Sequence, residues 1–138
     1  MGVPDGSCPE AVVGVIHDGG RFLLIRRAEG SPAAGYWAPP SGRIEPNETA
    51  AEAVVREMGE ELGLAVRPLR KVWTCSSHDG SFILHWWLLA NEGSHIRRNP
   101  HEVAEVRWCT VEEIVELTPT FEADVHFFVD VWPTLSVD

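Results

Sequence analysis

Residues 42–64, GRIEPNETAAEAVVREMGEELGL, constrain this chain more than any other segment. After Gly42 and five further residues comes Glu48, and after seven more come Arg56 and Glu57. Glu60, Glu61 and Gly63 then close the run. Thr49-Ala-Ala-Glu52 is a capping box, so a helix is expected to begin at Ala50. Ala51, Val54, Val55, Met58 and Leu62 recur at helical spacing and define its apolar face. Gly63 follows the last apolar residue and suits a left-handed C-cap. At roughly 100° per residue, Glu57 and Glu61 fall nearly one above the other. Glu60 lies one step round on the same side, where Ala50 and Ala53 leave room above the helix. The expected product is a carboxylate cluster flanking the buried stripe and open to a groove. Like charges three or four residues apart destabilise a helix by a few tenths of a kcal/mol per pair. Hard divalent cations, which take oxygen ligands, would offset that repulsion.

The full spacing resembles the signature of the Nudix hydrolases at every defined position of residues 42–64. The resemblance implies an α/β fold, an α/β/α sandwich with a mixed central sheet. It also implies cleavage of the diphosphate linkage in nucleoside diphosphate derivatives, with Mg²⁺ or Mn²⁺. A diphosphate carries negative charge that must be neutralised before water attacks phosphorus, and metal ions do this as Lewis acids. Glu57, Glu60 and Glu61 match the family's acidic triplet and are assigned to metal binding, with Glu57 or Glu60 as the residue that activates water. Glu48 and Arg56 are expected to brace the loop against the helix, supported by Gly42 and Gly63. In the family the residue before Gly42 is commonly Gly, and its carbonyl often ligates metal. Here it is Ser41, which keeps the carbonyl but carries a Cβ. Many members add a glutamate ahead of a strand ending in Trp. Glu102, six residues before Trp108, resembles that ligand, and Glu105 is the alternative.

Arg26 and Arg27 are candidate phosphate contacts, and Trp37 and Phe121 candidate contacts to the rest of a substrate. The chain resembles the MutT-like branch, which removes oxidised guanine nucleotides, in length and in having little beyond the box. Where that branch reads the base through an Asn, the comparable run here, residues 118–122, carries Phe121, which cannot form paired amide hydrogen bonds. Oxidised dNTPs, ordinary NTPs, ADP-sugars and dinucleoside polyphosphates all remain open. The reading from a second class is a Nudix-fold module that senses a nucleotide without cleaving it, which predicts loss of box carboxylates. All of them are present.

The 138 residues, 44% hydrophobic with six tryptophans, suit one domain over residues 10–133 between tails at 1–9 and 134–138. A net charge of −10 repels nucleic-acid polymers, so the expected partner is a small nucleotide. A homodimer is compatible with a domain this small and this rich in tryptophan. There is no membrane-length apolar run and no signal-peptide pattern at the start, so the expectation is a cytoplasmic protein without membrane contact. Cys8, Cys75 and Cys109 lack metal-ligand spacing and read as free thiols. Strands are expected at 11–17 and 21–26 around Asp18-Gly19-Gly20, and at 65–77, 82–89 and 103–109. Tyr36 to Ala38 forms a short extended piece. Thr110-Val-Glu-Glu113 opens a second helix, and a last helix starts near Pro119 with Phe121, Val125, Phe128 and Trp132 on its apolar side, ending at Pro133.

Overall fold

A computed structural model describes residues 9–93 and 95–135. In chain order the elements are β1 (Glu10–Asp18), β2 (Arg21–Arg27), β3 (Trp37–Ala38), β4 (Ser41–Arg43) and α1 (Ala50–Leu62). There follow β5 (Val66–Ser76), β6 (Ile83–Asn91), β7 (Val103–Cys109), α2 (Val111–Glu116) and α3 (Glu122–His126). A π-helical turn, Phe127–Val131, and a 3-10 turn, Trp132–Thr134, carry on from α3. No helix among the described residues is long and apolar enough to cross a membrane.

β1 organises the sheet. It runs parallel to β6 from the Glu10–Ile83 pair to Ile16–Leu89. It pairs antiparallel with β4 through Val12–Gly42 and Val13–Ser41, and turns at Gly19-Gly20 into β2. β5 flanks β6, while β3 and β7 flank β2. A parallel pair needs a crossover connection, and the segment containing α1 supplies it between β1 and β6.

Strand alternation sorts the core into two layers. Val12, Ile16, Leu23 and Ile25 pack with Ala53, Val54, Met58 and Leu62 of α1. Val13, Val15, Phe22 and Leu24 face the other way, onto Ile114 of α2 and onto Phe127 and Phe128. The expected α/β/α sandwich with a mixed sheet is therefore the observed one. Trp86 is fully buried, its ring 4.5 Å from Phe127 and 5.4 Å from Trp73.

Three expectations need correction. Val55 is 39% exposed, and the buried stripe of α1 runs instead through Ala53, Val54, Glu57, Met58, Glu61 and Leu62. Ala53 is thus core packing rather than open space above the helix. The last helix does not begin at Pro119. Phe121 is its N-cap, and the Pro119 carbonyl accepts from Trp37 N–H at 3.0 Å, tying the segment to β3. Pro133 lies inside the 3-10 turn rather than beyond the helix, and Phe127 joins Phe128 in the core. The tails expected at 1–9 and 134–138 fall largely outside the described residues, as does Cys8; Cys75 and Cys109 are free thiols.

Candidate active site

Helix α1 is held at both ends. At its start Thr49 Oγ1 accepts from Glu52 N–H at 3.1 Å, and Glu52 Oε1 accepts from Thr49 N–H at 2.9 Å. At its end Gly63, with φ of 65°, lets its own N–H reach Gly59 O and Leu64 N–H reach Met58 O. The carbonyls of Glu61 and Leu62 accept from Asn99 N–H at 2.8 Å and Arg97 N–H at 2.7 Å. These contacts lay the loop before β7 across the helix end. A Cβ on Gly63 would press on Arg97 at 3.2 Å, so the docking needs glycine there.

That docking carries Glu102 to the helix. One carboxylate oxygen from each of Glu57, Glu61 and Glu102 lies within 4.8 Å of the others. Glu57 and Glu61 are buried, whereas Glu102 is exposed and accepts from Asn99 Nδ2 at 3.0 Å. The Glu57 carboxylate lies so close over Gly42 that a Cβ there would overlap it. β4 and α1 thus meet only because residue 42 has no side chain.

Arg56 holds the acidic face together. Its Nε and Nη2 donate to the two oxygens of Glu48 at 2.7 and 2.9 Å. Nη1 donates to Glu57 at 3.0 Å and Glu60 at 3.2 Å, and Nη2 also reaches the Arg43 carbonyl at 2.8 Å. The bidentate pairing brings Glu48 down to about 2, with help from the Glu45 N–H. Burial pushes both Glu57 and Glu61 above the ordinary carboxylate range. Glu61 rises further because it is hydrogen-bonded to Glu57 and faces Glu102, while Arg56 pulls Glu57 back. Glu61 Oε1 is buried with no hydrogen-bond partner. A buried acceptor left unmet costs about 1–3 kcal/mol, so this oxygen calls for a ligand. The donor set is all oxygen, which suits a hard divalent cation such as Mg²⁺ or Mn²⁺.

The cluster opens into a cavity of about 590 Å³. Ser41, Gly42, Arg43, Arg56, Glu57, Glu60 and Glu61 line it together with Arg27 and Glu102. Phe82, Leu84 and Phe121 supply apolar wall. Arg43 lies over the Phe82 ring at 4.9 Å, and Phe121 stacks on Tyr36 with centroids 4.7 Å apart. The volume is that of a typical small-molecule site.

The structure sorts the sequence-derived residues unevenly. It brings Glu57, Glu61, Glu102, Ser41, Arg27 and Phe121 to one cavity. Glu60 also lines it, but its side chain is 54% exposed and stands outside the three-carboxylate cluster. Two residues expected at the substrate do not reach the cavity. Arg26 pairs with Glu105 at 3.3 Å, because alternation on β2 turns it away from Arg27. Trp37 is 6% exposed in the second core layer, with Arg107 4.7 Å over its ring. Glu105, the alternative to Glu102, is engaged by Arg26 and Arg107. Sequence reasoning missed Arg43 and Asp124, both of which line the cavity. For Asp124 a signal existed: an acid three residues after Phe121, within the apolar pattern of the last helix.

A family model described as the NUDIX domain matches residues 9–130. The chain is 31% identical over 116 residues to the CTP pyrophosphohydrolase of Escherichia coli (strain K12), covering 84% of this chain and 85% of that protein. It is 32% identical over 114 residues to the NAD-capped RNA hydrolase NudC of Deinococcus radiodurans, covering 83% of this chain but 40% of that protein. The MutT NUDIX hydrolase structure from Burkholderia pseudomallei superposes with a TM-score of 0.74 at 24% identity, over 86% of this chain and 93% of that one, a likeness of fold. With every charged position of the box present and the family match spanning the sheet and its helices, the chain belongs to the NUDIX domain family of hydrolases.

Proposed function

We propose that this protein is a divalent-cation-dependent pyrophosphohydrolase of small nucleotides, cleaving the diphosphate linkage of a nucleoside di- or triphosphate derivative. The observation that carries the reading is the cluster of Glu57, Glu61 and Glu102, with the unpartnered Glu61 Oε1, beside a nucleotide-sized cavity. Glu57, Glu61 and Glu102 would hold the cation, with the Ser41 carbonyl as a further ligand. When bound, Mg²⁺ or Mn²⁺ supplies Lewis-acid neutralisation of the diphosphate charge.

The chain's own groups do the rest. Arg56 is spent on Glu48, Glu57 and Glu60, so it orients carboxylates rather than substrate. Arg27 and Arg43 line the cavity and are the cations suited to phosphate oxygens. Glu57 is occupied by Arg56 and Glu61. Glu60 uses one oxygen on Arg56, which leaves the second to accept a proton from the attacking water. The relatives named for CTP and for NAD-capped RNA make nucleoside triphosphates and dinucleotide diphosphates the first substrates to test.

The test is release of phosphate or diphosphate from a nucleotide panel, with and without millimolar Mg²⁺ or Mn²⁺. Metal-dependent turnover of one group is expected, and Glu61→Gln or Glu60→Gln should lower it by roughly 10²–10⁴-fold while the fold persists. Undiminished turnover in both variants would overturn the assignment.

A further inference from the structure

Of the three clustered carboxylates, Glu57 and Glu61 are buried on α1, whereas Glu102 is exposed in the loop before β7. An exposed glutamate gives up much rotamer freedom when its carboxylate is held in one place. Glu102 must also be held against repulsion, since one of its oxygens lies within 4.8 Å of an oxygen of Glu57 and an oxygen of Glu61. Asn99 supplies that hold, because its Nδ2 donates to Glu102 Oε2 at 3.0 Å. The amide cannot be turned the other way. Its Oδ1 accepts from His101 N–H at 3.0 Å, and a backbone N–H can only donate. The main chain of Asn99 is committed as well. Its N–H donates to the Glu61 carbonyl at 2.8 Å, and its carbonyl accepts from Glu102 N–H at 3.0 Å and Val103 N–H at 2.8 Å. One residue thus joins the backbone of one clustered glutamate to the side chain of another.

We propose that Asn99 is a positioning residue for the cation, holding the Glu102 carboxylate toward Glu57 and Glu61 before the ion arrives. This rests on reading those three carboxylates as the cation's ligands. The two kinds of bond have separable duties. The main-chain bonds dock the loop on α1 and survive a substitution that keeps the N–H. The side-chain bond fixes the carboxylate, engaging one oxygen and leaving the other open. A neutral donor suits the place. A guanidinium there would compete with the cation for Glu102, and an acid would add to the repulsion. Groups that orient ligating carboxylates carry tenfold or more of metal affinity in general, so the amide should be felt in cation binding rather than in folding.

The experiment is a calorimetric Mn²⁺ titration of the nucleotide-free full chain, in wild type, Asn99→Ser, Glu102→Ala and the double variant. Serine keeps an oxygen for His101 N–H, but its side chain is too short to reach Glu102. Asn99→Ser should weaken Mn²⁺ roughly tenfold and leave the metal-free melting midpoint close to that of wild type. In the Glu102→Ala background the same change should matter by less than about twofold, because the amide acts only through Glu102. In turnover, Asn99→Ser should raise the Mg²⁺ concentration that gives half the maximal rate, with kcat at saturating Mg²⁺ kept within about twofold. An Mn²⁺ affinity within about twofold of wild type in Asn99→Ser, or an equal loss in both backgrounds, would overturn the proposal. Mn²⁺ binding that depends on Asn99, without turnover of any nucleotide, would sink the hydrolase reading and leave this one standing. A wild type that binds no millimolar Mn²⁺ would sink the cation centre itself, and the proposal with it.

Discussion

At the scale of single residues, Glu61 concentrates the physics of the site. It is a carboxyl 4% exposed, hydrogen-bonded to Glu57, with one oxygen unmet. Its folded pKa is raised, chiefly by burial, so the folded state holds its proton more tightly than the unfolded chain does. The stability it contributes is full below the unfolded value of about 4.3 and is lost as pH rises toward the raised folded one. Without divalent cation, the melting midpoint of wild type should fall more steeply between about pH 5 and about pH 8 than that of Glu61→Gln. Millimolar Mg²⁺ should restore the wild type far more than the variant, because a ligand that binds only the folded state stabilises it by mass action. Thermal scans at several pH values check this, and parallel profiles for the two proteins would remove Glu61 from the account.

At the scale of elements, α1 and its docking loop form the unit that assembles the carboxylates. The helix start depends on the reciprocal bonds between Thr49 and Glu52. Thr49→Ala should cost about 1 kcal/mol of folding stability in denaturant titration. It should weaken metal binding less than it weakens the fold, since the cluster sits in the last two turns of the helix. The end of α1 depends on partners far away in sequence. Arg97 and Asn99 cap its carbonyls and thereby set Glu102 beside Glu57 and Glu61. On the other side, the fork of Arg56 ties Glu48 and the Arg43 carbonyl to the same helix. On these two sides the cavity is therefore bounded by segments fastened to α1 by hydrogen bonds.

At the scale of the whole molecule, the sheet separates two cores with different duties. One seats α1 and its carboxylates, and the other carries α2, α3 and Asp124. Phe127 is wholly buried between Trp86, Trp73 and Phe128, so it anchors the second layer. Phe127→Ala should cost about 3–5 kcal/mol in chemical denaturation, the range for a large aromatic removed from a packed core. A loss below about 1 kcal/mol would show that α3 is not held by this contact.

What the sequence determined by itself was local. The limits of α1, the capping boxes at Thr49 and Thr110, the Gly63 C-cap and the strand 103–109 all rest on hydrogen bonds and periodicities spanning a few residues. The box spacing likewise settled the family, and the order of strands and helices settled the layered fold. Tertiary structure decided what those signals could not contain. Glu60 was expected to join Glu57 and Glu61, yet packing turned the buried stripe through Ala53, Glu57 and Glu61 and left Glu60 at the rim. Arg26 and Arg27 are adjacent in sequence, but the pleat of β2 sends one to Glu105 and the other to the cavity. Trp37 offered an aromatic face, and the second core with Arg107 covered it. Asp124 rose above the ordinary carboxylate range only when folding buried it, against the pull of Arg27. Hydrogen bonds close in sequence can be read from spacing, whereas burial and charge pairing depend on which distant segments the folded chain brings into contact.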